Sequence, residues 1–137
     1  MVCRRMTKND AMTDWPQQTK ELSALLRNLR GGVPEVMKAF AGIAQAATVS
    51  KALDAKTKEL IALGIAVAVR CDDCIAFHAK AAAEQGASKD EVSETLGMAI
   101  YMGAGSSAMY ASHALEAFMQ FKAATAKAPV AASVAPA

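Results

Sequence analysis

Apolar side chains recur at helical rather than strand spacing along most of the chain. Leu22, Leu25, Leu26 and Leu29 fall at i, i+3, i+4 and i+7, one face of a helix predicted from about Gln17 to Arg30. Gly31-Gly32 is its expected stop. Val33-Pro34 opens a second helix, with proline at the first helical position and Glu35 in the first turn. It carries Val36, Met37, Phe40 and Ile43 and fades near Thr48. A third begins after Asp54, a good N-cap, and reaches Val69 or Arg70. A fourth spans roughly Asp72 to Gln85 and stops at Gly86. The capping box Ser88-Lys89-Asp90-Glu91 starts a fifth, bearing Val92, Leu96, Ala99 and Ile100. Gly103-Ala104-Gly105 is expected to break it, and Ser106 or Ser107 to cap a sixth that runs to about Lys122.

The third helix differs from the rest. Its first turn is polar, but Leu60 to Val69 carries no polar side chain on any face. A helix that is apolar all round must be surrounded. Either it is the central helix of one subunit, or a second subunit covers part of it.

Composition narrows the class. The 137 residues make one domain, and 32 alanines favour helix over strand. The fold expected is all-α, with about six helices. Residues 1–16 read as an irregular lead-in, 17–122 as the helical domain, and 123–137 as a flexible tail of Ala, Pro, Val and Ser. An apolar content of 53% excludes a disordered chain. Net charge is +2 with the two signs interspersed, and no basic stripe interleaved with aromatics appears, which argues against nucleic acid as a partner. The Leu60–Val69 run is too short to span a bilayer, so no membrane role is expected. Met1 to Asp10 lacks the apolar stretch of a secretory signal, and three cysteines are an odd number for a disulfide framework. A cytoplasmic location follows as the expectation.

The chemistry concentrates in Cys71-Asp72-Asp73-Cys74-Ile75-Ala76-Phe77-His78. On a helix starting near Cys71, positions 71, 74 and 78 share one face. Cysteines at i and i+3 at a helix start can form a disulfide with little backbone movement. The helix N-terminus favours a thiolate, and His78 can exchange a proton one turn on. Asp72 and Asp73 oppose the thiolate, since nearby negative charge raises a thiol pKa, and their alternative role is as N-caps of the same helix. If the third and fourth helices fold back antiparallel, His78 faces roughly Ala62 or Leu63, given a rise of about 1.5 Å per residue. Glu59 then lies one turn further, where its carboxylate could orient the imidazole. The other readings of these residues are a zinc site completed by His113 or Cys3, buried cysteines acting as small hydrophobes, and a solvated Glu59.

Glu59, eleven intervening residues, then Cys71-x-x-Cys74-x-x-x-His78 resembles the alkylhydroperoxidase D-like proteins of the carboxymuconolactone decarboxylase superfamily. The stretches RCDDCIAFHAKAAAEQGAS and MAIYMGAGSSAMYASHALEAF are similar to its small single-domain members, and the likeness covers roughly Val33 to Phe121. The resemblance implies an all-helical subunit assembling as homotrimers or homohexamers. It also implies a thiol peroxidase or disulfide reductase that works without haem, flavin or metal cofactor. Carried over by position, Cys74 matches the peroxide-reacting cysteine, Cys71 its resolving partner, and His78 and Glu59 the proton relay. The residues alone leave the two cysteine roles open: His78 favours Cys74 as the activated thiol, the helix terminus Cys71. Asp73 departs from the peroxidase pattern, which has a histidine directly before the second cysteine. The implied partners are a hydroperoxide substrate and a dithiol donor, lipoyl-bearing or thioredoxin-like. Two other functions compete with this one. A carboxymuconolactone decarboxylase-like lyase would have no use for the paired cysteines, and a redox-sensing helical oligomer would form the disulfide without turnover.

Overall fold

The computed structural model describes residues 13–127, and among these every regular element is helical. Cys3, nearly all of the expected lead-in and the last residues of the expected tail lie outside them. Helix α1, Trp15–Gly32, begins where the Asp14 carboxylate accepts the Gln17 N–H at 3.0 Å. It ends at Gly32, within the expected stop. The stronger terminator is Pro34, which bars its predecessor Val33 from helical backbone, and Val33 N–H still closes the last turn on Leu29 O. Helix α2, Pro34–Thr48, follows at once, and α3, Ala55–Ala68, starts from Asp54, whose carboxylate accepts the Thr57 N–H at 2.7 Å.

Helix α4, Asp72–Glu84, is joined to α3 by a tight reversal. Arg70 N–H bonds to Val67 O and Cys71 N–H to Ala66 O, the paired bonds of a Schellman turn. That turn needs a left-handed residue, and Arg70 supplies it at φ 60°. Gly86, at φ 80°, ends α4 in the same way, with Ala87 N–H reaching Ala82 O. Helix α5, Lys89–Lys127, opens on the expected capping box, in which Ser88 N–H donates to Glu91 Oε2 and Glu91 N–H to Ser88 Oγ.

This element holds the expected fifth and sixth helices, which meet at a kink. The chain leaves helical geometry only at Ala104 (φ 54°, ψ −145°) and resumes it immediately. A Cβ on Gly103 would overlap Ser107 Oγ, so the glycine is what lets the two halves stack so closely. The last turns also run through Ala123–Lys127, into the stretch expected to be tail.

Helices α3, α4 and α5 pack on one another, and α1 lies across α4 and α5. Leu63, Val67, Ile75, Val92 and Phe118 are fully buried at their centre. Each such side chain contributes about 1.5–3 kcal/mol. Between them sit Ala66, Ala76, Ala79, Ala114 and Ala117, whose small side chains let the helices approach closely. The start of α1 is pinned to the end of α5: Trp15 is buried, its backbone N–H donates to Gln120 Oε1, and Gln120 Nε2 donates to Thr13 O.

The expected apolar stripes of the first two helices are not core. Leu25 and Leu29 are more than half exposed, and α2 buries no residue at all, leaving Val36, Phe40 and Ile43 in the open. The apolar third helix resolves in the same direction. One face buries Leu63, Ala66 and Val67, while Ile61, Ile65 and Val69 on the other are exposed.

Candidate redox site

Cys71 is the N-cap of α4 and its Sγ accepts the Cys74 N–H at 3.2 Å. The two cysteines are joined as a disulfide, with Cα atoms 5.2 Å apart. The reversal after α3 produces this arrangement. It places Cys71 at the cap position, and three residues of helix carry Cys74 onto the same face. One further turn carries His78 there.

The same reversal runs α3 antiparallel to α4 and brings Glu59 opposite His78. His78 Nδ1 and Glu59 Oε2 are 2.8 Å apart. With the carboxylate accepting, Nδ1 carries the hydrogen and Nε2 is left without one. Glu59 is sheltered, its side chain 11% exposed against 34% for His78. The structure therefore joins Cys71 to Cys74 and pairs His78 with Glu59, His78 lying one helical turn beyond Cys74 on α4.

The acids of the motif are engaged elsewhere. Asp73 Oδ1 accepts Gln18 Nε2 from α1 at 3.1 Å, and Asp72 Oδ1 lies 3.5 Å from His113 Nδ1 of α5. Both lie in the first turn of α4, where negative charge favours the helix and disfavours a thiolate. His113 stacks near Trp15 and edge-on to Tyr110, and thus belongs to the packing of α1 on α5. Among the described residues no three His, Cys, Asp or Glu side chains converge as a metal site.

Periodicity gave no sign of the site's surroundings. His78 lines an apolar groove of about 470 Å³ whose walls include Phe40 and Ile43 of α2 and Ile61 and Ile65 of α3. A second apolar groove, of about 490 Å³, lies between α3 and α5, with Ile61, Ile65, Met98 and Met102 on its walls. No titratable side chain lines it.

Comparison with known proteins matches residues 34–117 to the model of the carboxymuconolactone decarboxylase family. An uncharacterised protein of Cupriavidus necator is 41% identical over 106 residues, covering 77% of this chain and 94% of that protein. One from Haemophilus influenzae is 40% identical over 111 residues, covering 81% and 98%. Among solved structures, a carboxymuconolactone decarboxylase family protein from Legionella pneumophila superposes with a TM-score of 0.77 at 49% identity, covering 79% of this chain and 96% of that one. A member from Thermotoga maritima, for which a part in the antioxidative response has been suggested, gives 0.72 at 27% identity, covering 80% and 93%.

Proposed function

The chain belongs to the carboxymuconolactone decarboxylase family, and within it we propose that this member is a cysteine-dependent hydroperoxide reductase that cycles through the Cys71–Cys74 disulfide. The observation that carries this reading is the disulfide at the N-terminus of α4 with the His78–Glu59 pair one turn away. In the reduced protein the Cys74 thiolate attacks the outer oxygen of a hydroperoxide. The O–O bond breaks, sulfur takes the hydroxyl as a sulfenic acid, and the alkoxide leaves as an alcohol with the proton that His78 Nε2 took from the Cys74 thiol. Glu59 holds the imidazole in the tautomer and orientation this transfer requires. The Cys71 thiol then attacks the sulfenic sulfur, water departs, and the disulfide forms. An external dithiol of lipoyl or thioredoxin type restores both thiols by exchange and becomes a disulfide itself. A cytoplasmic location suits a pair that must be continually re-reduced, and no helix among the described residues is long and apolar enough to cross a membrane.

The protein works as a homotrimer or homohexamer in this reading. The α3–α5 groove, with Ile65, Met98 and Met102 exposed, is an apolar surface without a titratable group to serve a substrate, which suits contact with other copies.

The test is consumption of hydroperoxide by the reduced protein with a panel of dithiol donors, with thiols counted before and after and mass measured by light scattering. The parent should turn over and Cys74→Ser should not. Parental turnover by Cys74→Ser refutes the mechanism. Disulfide formation without turnover by any donor favours a redox-sensing oligomer instead.

A further inference from the structure

We propose that α2 is the wall that selects the substrate at the redox site, and that Lys58 is the positioning residue that holds this wall in place. The inference rests on the redox reading above. Helix α2 buries no residue and meets only α1 and α3 among the described elements, so packing alone fixes it weakly. Its N-terminal end is tethered directly to α1 through Val33-Pro34. Its C-terminal end is tied by a single side chain. Lys58 Nζ donates to Ala47 O and to Val49 O, both at 2.8 Å. The last carbonyls of a helix lack intrahelical partners and carry the negative end of its dipole, so an ammonium group is the natural clasp. Lys58 directly precedes Glu59, and α3 thereby fixes the α2 wall and the carboxylate behind His78 from adjacent positions.

The groove held this way is about 470 Å³, within the range of about 300–1,000 Å³ typical of small-molecule sites. Phe40, Ile43, Leu53, Ile61 and Ile65 give it apolar walls. The titratable residues that line it are Lys58 and His78, and the Lys58 ammonium is occupied by the two carbonyls. Its occupant is therefore neutral and apolar, with one polar end directed at the imidazole. An organic hydroperoxide has that form: its peroxy group lies by His78, one turn from Cys74, and its hydrocarbon body lies along α2. Hydrogen peroxide has no such body and gains nothing from the wall.

The test compares single-turnover oxidation of the reduced protein by cumene hydroperoxide and by hydrogen peroxide. Lys58→Met keeps the length of the stem and removes the donor. It should lower the cumene hydroperoxide rate constant about tenfold relative to that for hydrogen peroxide, the scale of one well-fitted apolar contact. Lys58→Arg, still a donor, should recover most of the preference. Phe40→Ala, at a position 64% exposed where folding is not at stake, should lower the same ratio. An unchanged ratio in both Lys58→Met and Phe40→Ala overturns the proposal. So does an equal fall for both oxidants, which would place Lys58 in the His78–Glu59 geometry instead. A second measurement needs no turnover: cumyl alcohol binding to Cys74→Ser, with and without Lys58→Met, followed by NMR titration. Weaker binding with Lys58→Met supports the groove even if the parent reduces no peroxide, a result that would sink only the redox reading. Equal affinity, or no binding, overturns the groove.

Discussion

Replacing Glu59 by Gln tests whether the carboxylate acts through His78. Glutamine keeps the shape of the side chain and a carbonyl oxygen able to accept from Nδ1, so the 2.8 Å contact can persist without its charge. A hydrogen bond to a charged group contributes about 1.5–3 kcal/mol and a neutral one about 0.5–1.5 kcal/mol. Glu59 is largely shielded, so solvent screening removes little of that difference. Losing about 1–1.5 kcal/mol as the imidazole exchanges its proton slows the step about 5- to 13-fold. The assay is single-turnover thiol loss in the reduced protein, quenched with an alkylating reagent and read by mass spectrometry. A double-mutant cycle completes it: with His78→Gln already present, Glu59→Gln should have no further effect. Parental rates in Glu59→Gln, or independent and additive losses in the double variant, would refute a relay in which the carboxylate works only by orienting the imidazole.

Three further outcomes follow from the structure. Cys71→Ser should consume one equivalent of hydroperoxide and stop at a Cys74 sulfenic acid that dimedone traps; trapping in Cys74→Ser instead would reverse the roles of the cysteines. Ala104→Gly should stabilise the protein by about 1 kcal/mol, because φ 54°, ψ −145° lies in backbone space that glycine alone occupies readily, and an unchanged urea midpoint would count against strain there. The Lys56 ammonium, 2.6 Å away, and then the Ser88 N–H hold the Glu91 carboxyl below its ordinary 4.5. A depressed carboxylate stabilises the fold above that value and ceases to do so as pH falls through the lower, folded one, so melting temperature should drop on acidification below about pH 4.5 and less steeply in Glu91→Gln; parallel acid limbs would refute the link.

Much of the site was legible because its geometry is local. Positions 71, 74 and 78 share a helical face whatever surrounds them, and a three-residue reversal between α3 and α4 suffices to set Glu59 against His78. The helices were legible for the same reason, through caps at Asp54 and Ser88 and stops at Gly31-Gly32 and Gly86. Two features were hidden because no residue type announces them. Arg70 and Ala104 take positive φ, which sequence reading expects of glycine. The break expected at Gly103-Ala104-Gly105 is present, but it turns on Ala104 rather than on either glycine. Periodicity also names an apolar face without naming what covers it. Leu25, Leu29, Val36 and Phe40 have the spacing of core residues and stand in the open.

The acids within the motif show how local chemistry and packing were combined. Aspartates at 72 and 73 oppose a thiolate at either cysteine, yet each is drawn toward a neighbouring helix, Asp73 by Gln18 of α1 and Asp72 by His113 of α5. The N-terminus of α4 is thus braced from two sides by the residues that occupy its first turn. The bracing fixes Cys71 at the cap and Cys74 one turn behind it, and so keeps both sulfurs on the face they share with His78. A histidine at 73 would add a proton donor next to Cys74 but would lose the carboxylate that accepts from Gln18. The sequence at this turn favours a rigidly placed disulfide over a more strongly activated thiol. In the proposed cycle the proton transfer then falls to His78 and the buried carboxylate behind it.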